Sequence, residues 1–496
     1  MTTSGLGASQ FAPLTKILSE FFAGRAVPAF LMGGAVRDAL LDRPTGDIDL
    51  AVEGEAVSLG RELASTLDAH LIVLDEARNI CRVAGSDDSG AWHVDIARAE
   101  TGIVNHLRGR DCTVDAMAIP IGDVASPDLF RGLIDPADGL SDLRAGQVRM
   151  VSGTAFEDDP GRLMRAPRIA VQLGFEIESD TRAVIRRNAA LVRSVAPERT
   201  RDELLALLAE PDATTSLRLL DGLGLLGEVI PELEAAREVL QPKEHHWGVF
   251  DHLVETAGQI ETVLDERRTE DGFTGRMVPR LEVLDGYFDR EASDGHSLRT
   301  LLKLGGLLHD VAKPATKTVE PSGRIRFLGH HSMGAEMVRV ILNRLRLSGR
   351  GTDLLCAAVQ HHLRPAQMAQ KGEMPTGRAI FRFFRDAGDA AVPTLYLNLA
   401  DYIAARGPML SESEWADYCG LVGHILREGL DEKAPQALPK LVDGRDIMEA
   451  FALSPGPRVG ALIGIVQEAQ ADGEIATKTE ALNLVRSHLT AGGRSA

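Results

Sequence analysis

The sequence has no apolar run long enough to cross a membrane. Its first residues, MTTSGLGASQFAPLTK, contain no basic segment followed by an apolar one, so they do not resemble a secretion signal. Over 496 residues the composition is 44% hydrophobic and 25% charged, which is typical of a globular chain with several domains. We therefore expect a soluble protein with no membrane partner.

Cysteine is scarce, and the few that occur lie far apart in apolar contexts. No CxxC spacing is present, which excludes the common zinc and redox-pair patterns. This usage is typical of a reducing cytoplasm, where we expect the cysteines to be core residues. The four are Cys81, Cys112, Cys356 and Cys419.

Basic charge is also in deficit, since 54 Lys and Arg face 72 Asp and Glu, for a formal net charge of −18. A nucleic-acid partner would therefore need a local basic surface. Between Arg162 and Arg201, nine arginines stand against four acidic residues. This segment is the candidate surface, and a solvated helical face with ion pairs is the alternative.

The stretch LMGGAVRDALLDRPTGDIDLAV combines two glycines with two aspartates in an apolar run. The pattern predicts a strand before Gly33 and Gly34, then a helix, then a second strand. Such a turn exposes backbone N–H groups to an anion such as a triphosphate. Asp47 and Asp49 lie two apart on a strand, so they project to one face and suit magnesium. The stretch indicates a metal-dependent nucleotide site.

Three further residues extend this site. Arg37 follows the glycines by one helical turn and can add positive charge for phosphates. Asp95, in the strand HVDIAR, can supply a third carboxylate, with a simple strand-edge acid as the alternative. Arg110, in GRDCTVDAMA, suits a phosphate or ribose contact, with a surface ion pair as the alternative.

In this order, GGAVRDALL, DID, GRDCTVDAMA, LIDPADGLSDL and AFEDDPGRLMRAPRIAVQLGF resemble the motifs of class II tRNA nucleotidyltransferases and bacterial poly(A) polymerases. The resemblance covers residues 28–205 continuously. It implies a polymerase-β-like head that adds CMP and AMP to an RNA 3′ end with two ions held by Asp47 and Asp49. One cation lowers the pKa of the attacking hydroxyl, and the other neutralises the leaving pyrophosphate.

The residue pattern and the resemblance together assign expected roles to single residues. Asp47, Asp49 and Asp95 are expected to be the catalytic carboxylates. The helical segment after the head is expected to hold the tRNA acceptor end, mostly through phosphate. The expected nucleotide contacts are Gly33, Gly34, Arg37, Arg110, Asp111, Asp159, Arg162 and Arg165, and the expected RNA contacts are Arg168, Arg186 and Arg193.

Base choice can be argued from DDPGRLMR, in which Pro160 favours a helix start. The spacing predicts that Asp159, Arg162 and Arg165 share one side of that helix. Asp offers only acceptors and Arg only donors, so the pair can hydrogen-bond the amino group and ring acceptor of cytosine or adenine. Uracil and guanine instead present an N–H where the N–H of the arginine would point. In the family, the matching Asp and Arg act as a protein template for the incoming base.

Two departures from the family pattern bear on the reaction. Asp115 stands where the family usually has asparagine, so an amide donor near the ribose is replaced. The connection from Arg98 to Arg110 is short, whereas relatives that complete the CCA end typically carry a longer flexible loop there. A reduced loop is seen in relatives that add only two cytidines, so CC-only addition stays open.

From residue 245 onward the chain contains EHHWGVFDHLVET, LLHDVAKP, FLGHHSMGAE, VQHHLRP and LNLADY. This ordered set resembles the metal ligands of the HD phosphohydrolase superfamily, carried on helices. Such imidazoles and carboxylates can hold one or two divalent ions whose bound water becomes the nucleophile. The implied ligands are His252, His309, Asp310, His330, His361 and Asp401, with His330 preferred to His331 and His361 to His362 by motif register.

We therefore expect an α+β nucleotidyltransferase head at 1–150, followed by all-α regions: a neck and body at 151–238, an HD domain at 239–408 and a tail at 409–496. The predicted function is cytoplasmic addition of CMP and AMP, from CTP and ATP with Mg²⁺, to the tRNA 3′ end without a nucleic-acid template. The alternatives are CC-only addition, poly(A) synthesis, and hydrolysis at the HD site as the main activity.

Overall fold

A computed structural model describes residues 12–44, 48–87, 90–124, 129–264, 272–369, 373–431, 440–471 and 473–492. The chain divides into two compact units. The first unit comprises Met1–Glu203 and Leu219–Val229, and the second comprises Leu204–Arg218 and Ile230–Ala496. The finer domain borders expected from the sequence stay predictions.

The first unit contains a mixed sheet built from short apolar segments. Its strands are β1 (Ala29–Met32), β2 (Ile48–Val52), β3 (His70–Asp75), β4 (Ile80–Asp87), β5 (Gly90–Arg98) and β6 (Ala118–Pro120). They lie in the order β3-β4-β5-β2-β1-β6. β2 and β5 are parallel, and the other neighbouring pairs are antiparallel. A small parallel pair, β7 (Gln147–Val148) and β8 (Glu176–Ile177), follows.

Helices connect these strands and then replace them, which agrees with the predicted α+β head and helical continuation. Up to the border between the units they are α1 (Ala12–Ala23), α2 (Gly34–Leu40), α3 (Ala56–Leu67), α4 (Ile103–Arg108), α5 (Gly139–Ala145), α6 (Ala155–Asp158), α7 (Arg162–Leu173), α8 (Ser179–Asn188) and α9 (Pro197–Ala209).

The remainder of the described chain is helical apart from two small hairpins, β9 (Glu291–Ser293) with β10 (His296–Ser297) and β11 (Lys317–Val319) with β12 (Ile325–Phe327). No helix in the described ranges combines the length and apolar character needed to span a bilayer. The helices are α10 (Ala213–Gly222), α11 (Leu226–Val229), α12 (Val249–Leu264), α13 (Gly272–Met277), α14 (Leu298–Leu308), α15 (Lys313–Thr316), α16 (His330–Arg344), α17 (Gly349–His361), α18 (Arg364–Met368), α19 (Gly377–Ala387), α20 (Ala391–Arg406), α21 (Glu412–Leu430), α22 (Gly444–Phe451), α23 (Pro457–Ala471) and α24 (Lys478–Gly492).

The alternation of side chains along the strands separates the core of the head from its polar face. Leu50, Val83 and Ile96 are fully buried on the side of the sheet that α3 covers. A Cβ on Gly60 of α3 would lie 2.5 Å from the Cys81 sulfur, so glycine permits the close approach of helix and sheet. The intervening residues of β2, β4 and β5 face the other way and carry the charges described below.

The four cysteines are all buried and free within the described residues, which confirms that they are core residues.

An ion pair is buried in the second unit. Lys303 is only 2% exposed, and its Nζ lies 2.8 Å from Glu261 Oε1. The same ammonium donates to two carbonyl oxygens near the end of α9, at 2.8 and 2.9 Å. Glu261 accepts two backbone N–H groups at the start of α10, at 2.9 and 3.0 Å. The pair therefore satisfies polar groups at the ends of two consecutive helices.

Replacing Glu261 by alanine leaves a buried ammonium without its carboxylate. We expect this change to lower the free energy of unfolding of the second unit by about 3–5 kcal/mol. Urea unfolding of the full chain measures the effect. Asp353→Ala, which breaks the exposed pair with Arg339, is the control and should cost less than about 1 kcal/mol. Equally small losses in both variants would contradict the structural role of the buried pair.

Candidate active site and metal centre

The two glycines lie at a strand-to-helix turn, as the sequence predicts, between β1 and α2. Gly33 has φ 68° and ψ −139°, a conformation that essentially requires glycine. A Cβ on it would lie 2.9 Å from an Arg110 guanidinium nitrogen and 3.2 Å from an Asp49 carboxylate oxygen. The missing side chain therefore allows the turn, Arg110 and Asp49 to meet at one point.

Asp49 and Asp95 lie side by side on the polar face of the sheet. They are direct partners in the pairing of β2 with β5, and Asp95 is the direct partner of Arg82 on β4. Arg82 binds both Asp95 oxygens, with Nε and one terminal nitrogen at 2.7 and 2.8 Å. The expected third carboxylate therefore lies beside Asp49, but an arginine that the sequence did not single out already binds it. Asp47 lies outside the described residues.

A polar cavity of about 530 Å³ covers this face of the sheet. Arginines and carboxylates share its lining, so it can hold an anion together with cations. The charged and polar lining residues are Arg37, Asp38, Asp49, Arg82, His93, Asp95, Asp115, Arg165, Arg168 and Gln172, and Gly34 borders them.

Buried ion pairs form one wall of the cavity. Arg37, only 5% exposed, places a terminal nitrogen 2.6 Å from Asp115, and Arg165 places Nε 2.6 Å from Asp111. Arg165 also lies 3.7 Å from Asp115. Burial favours the neutral form of Asp111, but Arg165 and Arg110 outweigh it and lower the pKa of Asp111. Asp115, which stands where the family usually has asparagine, therefore contacts both Arg37 and Arg165.

The base-reading pair differs from the sequence prediction. Asp159 has φ −143° and is extended, and α7 begins only at Arg162, because Pro160 and Gly161 form a turn between them. The prediction of one helical face was therefore wrong. Arg199, which sequence reasoning missed, binds both Asp159 oxygens at 3.2 and 3.1 Å.

Arg162 nevertheless lies near its predicted partner, with its Nε 3.9 Å from Asp159. Its terminal nitrogens donate to main-chain carbonyls, including that of Gly109 at 2.7 Å. Both members of the pair are therefore adjacent, and each is bound by other protein groups.

The three arginines expected to bind RNA each contact a protein acceptor. Arg168 pairs with Glu203 and lines the cavity. Arg186 donates to a main-chain carbonyl at 2.7 Å, and Arg193, whose side chain is two-thirds exposed, pairs with Glu228.

The short connection before Arg110 is a packed helix. Ile103 and Leu107 of α4 are buried in a small cluster beside the sheet. The backbone N–H of Ile103 donates to Glu53 at 3.0 Å. The buried side chains and this hydrogen bond hold α4 against the sheet of the head.

The second unit contains a compact group of possible metal ligands. One ligand atom each from His252, His309, Asp310 and Asp401 lies within 4.8 Å of the others. His252 Nε2 is 3.1 Å from Asp401 and 3.3 Å from His309 Nε2. α12 and α20 supply the first and last of these residues, and His309 and Asp310 directly follow α14.

A second group shares Asp310 with the first. Asp310 Oδ1 lies 3.2 Å from His330 Nε2 and 3.6 Å from His362 Nε2. The sequence had favoured His361 over His362, and that choice was wrong. Successive side chains near a helix end point about 100° apart, and it is His362 that faces inward at 1% exposure, while His361 is only half-buried.

The histidines are held in a common orientation. His309, His330 and His362 each place Nδ1 against a carbonyl oxygen three residues earlier, at 2.8, 2.5 and 2.6 Å. This contact makes Nδ1 a donor and turns Nε2 toward the centre, where its lone pair can bind a metal ion in place of a proton. Asp310 Oδ1 and His330 Nε2 are buried and, although 3.2 Å apart, form no hydrogen bond with each other or with another group in the described part of the chain. Such unpartnered atoms fit a bound cation.

The electrostatics of the group also fit a cation. Burial opposes a charge on His309, but Asp310 and Asp401 outweigh it and raise its pKa to about 10. The positive charge that the carboxylates favour can be carried by a proton or by a metal ion. Lys313, one helical turn after Asp310, places its Nζ 2.5 Å from Asp310 Oδ2. The sequence analysis did not single out this lysine, although it lies in the same motif, LLHDVAKP. His245, also missed, contacts the ring of His252 edge-on.

Three segments of the chain match described domain families. Residues 29–149 match the poly(A) polymerase head domain. Residues 174–237 match the probable RNA- and SrmB-binding site of polymerase A, and residues 249–406 match the HD domain.

Relatives match the chain over nearly its whole length. It is 35% identical to the A-adding tRNA nucleotidyltransferase of Deinococcus radiodurans over 92% of this chain and 95% of the relative. It is 30% identical to the CC-adding tRNA nucleotidyltransferase of Geobacter sulfurreducens over 97% and 96%. Multifunctional CCA proteins, such as that of Nitrosomonas europaea, match at 27% identity over 68% of this chain and 76% of the relative.

Solved structures share the fold. The Thermotoga maritima CCA-adding enzyme complexed with tRNA superposes with a TM-score of 0.59 at 20% identity, covering 97% of this chain and 96% of that one. A CCA-adding enzyme with CTP gives 0.62 at 20% identity, with the same coverage. The head, the helical continuation and the similarity along the whole chain agree, and the chain belongs to the tRNA nucleotidyltransferase family.

Proposed function

We propose that this nucleotidyltransferase adds nucleotides from CTP or ATP to the 3′ end of tRNA without a nucleic-acid template. The observation that carries the proposal is the convergence of the Gly33 turn, Arg110 and Asp49 at one point, next to a cavity that Asp49 and several arginines line. This arrangement suits a triphosphate that is bound at the turn and attacked beside a carboxylate. The names of the full-length relatives support tRNA as the acceptor.

Asp49, together with Asp47, would hold two magnesium ions. When bound, these ions supply a lowered pKa for the attacking 3′-hydroxyl and charge neutralisation for the leaving pyrophosphate. Arg110 would orient the triphosphate against the Gly33 turn. The ion pair between Arg37 and Asp115 would hold the adjacent wall of the cavity in place.

Base selection would require an exchange of partners. Asp159 and Arg162 are adjacent, but Arg199 and main-chain carbonyls now bind them. A cytosine or adenine edge can replace these partners with matching donors and acceptors, whereas uracil and guanine present an N–H to the arginine. The pair can therefore reject the wrong bases by leaving buried polar groups unpaired.

We further propose that the chain adds only part of the CCA end, either the two cytidines or the terminal adenosine. The connection that is long and flexible in complete CCA-adding relatives is here the short packed helix α4. Three relatives that match over more than nine-tenths of their length, at 29–35% identity, are named A-adding or CC-adding.

Extension of defined tRNAs tests both proposals. The protein is incubated with tRNAs that end at the discriminator base, at C and at CC, with CTP and ATP separately and together. We expect either two cytidines and arrest, or one adenosine added only to the CC end, at single-nucleotide resolution. Complete CCA addition or a long adenosine ladder would contradict partial addition. No extension, or extension that survives Asp47→Ala with Asp49→Ala, would contradict the transferase proposal.

Gly33→Ala should reduce kcat/KM for the nucleotide by roughly 10-fold or more, about 1.4 kcal/mol. The reason is that the new Cβ would displace the Arg110 guanidinium and strain the turn. Gly174→Ala is the control for a positive-φ glycine: Gly174 has φ 68° with ψ 32°, in the left-handed helical region, and its Cβ would meet no atom of the described residues within 4 Å. Equal losses of activity in both variants would contradict the role of the close approach.

We also propose that the HD group binds one or two divalent ions and hydrolyses a phosphate ester. The unpartnered Asp310 and His330 atoms and the preset Nε2 lone pairs support this proposal. The first ion would be held by His252, His309, Asp310 and Asp401, and the second by Asp310, His330 and His362. Bound ions supply a water activated as a nucleophile.

Metal content and hydrolysis test the HD proposal. We expect His362→Ala to lower the affinity for a divalent ion, titrated by calorimetry, by about 10- to 100-fold, because a ligand is lost. Hydrolysis of a 2′,3′-cyclic phosphate should fall with it. His361→Ala is the matched control and should retain both properties. Equal effects in the two variants would contradict the assignment, and no metal bound by the unaltered protein would contradict the site.

A further inference from the structure

His362 stands at the end of a helix. α17 ends at His361, and α18 begins at Arg364 after a short turn. The last carbonyl groups of a helix have no partner inside it, so helix ends fray more easily than helix interiors. A metal ligand needs a fixed position, and His362 therefore needs support from outside α17.

Asn398 supplies this support from α20. Its side chain is only 3% exposed, and its amide nitrogen donates to the main-chain oxygen of His362 at 2.9 Å. Asn398 precedes Asp401 by three residues, so the two side chains lie on the same side of α20. This helix therefore carries a ligand of the first group and holds the segment that carries a ligand of the second group.

Tyr418 of α21 fixes the orientation of the Asn398 amide. The Tyr418 hydroxyl donates to Asn398 Oδ1 at 2.5 Å. Because the His362 carbonyl only accepts, the amide presents its nitrogen to His362 and its oxygen to Tyr418. The Tyr418 ring stacks on Tyr402, which directly follows Asp401, with ring centroids 4.0 Å apart and ring planes 14° apart. Tyr418 therefore contacts α20 both before and after Asp401.

The two ligand groups depend on the Asn398 amide to different degrees. Only the second group contains His362. In the first group, Asp401 lies inside α20, so its main chain is held by the hydrogen bonds of that helix. Loss of the amide should therefore disturb the second group more than the first.

From these contacts, and resting on the proposed HD function, we infer that Asn398 and Tyr418 are positioning residues for the second ion. They act through the main chain of His362. The amide holds the end of α17 at the place where His362 Nε2 lies 3.6 Å from Asp310 Oδ1. The hydroxyl keeps the amide turned toward His362.

Asn398→Leu, which is close to asparagine in size but removes both hydrogen bonds, tests the inference by calorimetric titration of the full chain with Mn²⁺. We expect the unaltered protein to bind two ions. In the variant the Kd of the second ion should rise about 10-fold or more, because groups that orient a ligand typically contribute about 10- to 100-fold to metal affinity. The Kd of the first ion should stay within about twofold.

Thr394→Val is the matched control. Thr394 is fully buried on the same helix, about one turn before Asn398, and its hydroxyl donates to the main-chain oxygen of Ala390 at 2.6 Å. The change therefore also removes a buried hydrogen bond of a residue on α20. We expect both Kd values to stay within about twofold, and thermal unfolding of the metal-free variants compares their stabilities.

Tyr418→Phe keeps the ring that stacks on Tyr402 and removes only the hydroxyl. It should raise the Kd of the second ion about threefold, because the Asn398 amide remains but is no longer held in one orientation. Combined with Asn398→Leu it should add nothing, since the two residues act in series. This milder variant replaces Asn398→Leu if the latter does not fold.

Several results would overturn the inference. An unchanged Kd of the second ion in Asn398→Leu, or an equal rise in Thr394→Val, would do so and leave the HD centre in place. An equal rise for both ions would make Asn398 a general structural residue. One ion only in the unaltered protein would overturn the inference and keep the first ion, whereas no bound ion would also overturn the proposed HD function.

Discussion

The buried charges of Arg37, Asp115 and Asp111, together with the partly exposed Arg165, form ion pairs at the wall of the head cavity. They tie α2, the residues before β6, and α7 to one another. Removing one member of such a set leaves an uncompensated charge in a desolvated place, at a cost of several kcal/mol. These ion pairs therefore contribute to holding that wall together.

The two candidate centres are prepared for their ligands in different ways. In the HD group, main-chain carbonyls preset the rings of His309, His330 and His362, so the ligand atoms converge already. In the head, Asp159 and Arg162 are adjacent but are bound by other protein groups. A metal ion needs fixed geometry to gain its affinity, whereas base selection needs contacts that can be exchanged.

Local pattern was enough to predict the turn at Gly33 and a position for Asp95 beside Asp49, and the resemblance to HD phosphohydrolases predicted that His252 and Asp401 lie on helices. The wrong predictions concern helix ends, where the residue at which a helix begins or ends decides which side chains face inward. Pro160 and Gly161 delay the start of α7, and the inward residue at the end of α17 is His362. Partners from distant segments, such as Arg82 and Arg199, leave no local signal, because register and tertiary packing select them.

Asp310 belongs to both ligand groups of the HD centre, so one carboxylate would serve two cations. If two cations bind there as proposed, each would withdraw part of the negative charge that attracts the other, and the two ions would also repel each other. The second ion would then bind more weakly than the first, so the centre would fill in two steps as free metal becomes more abundant. The ratio of singly to doubly loaded protein would report the metal supply around the enzyme.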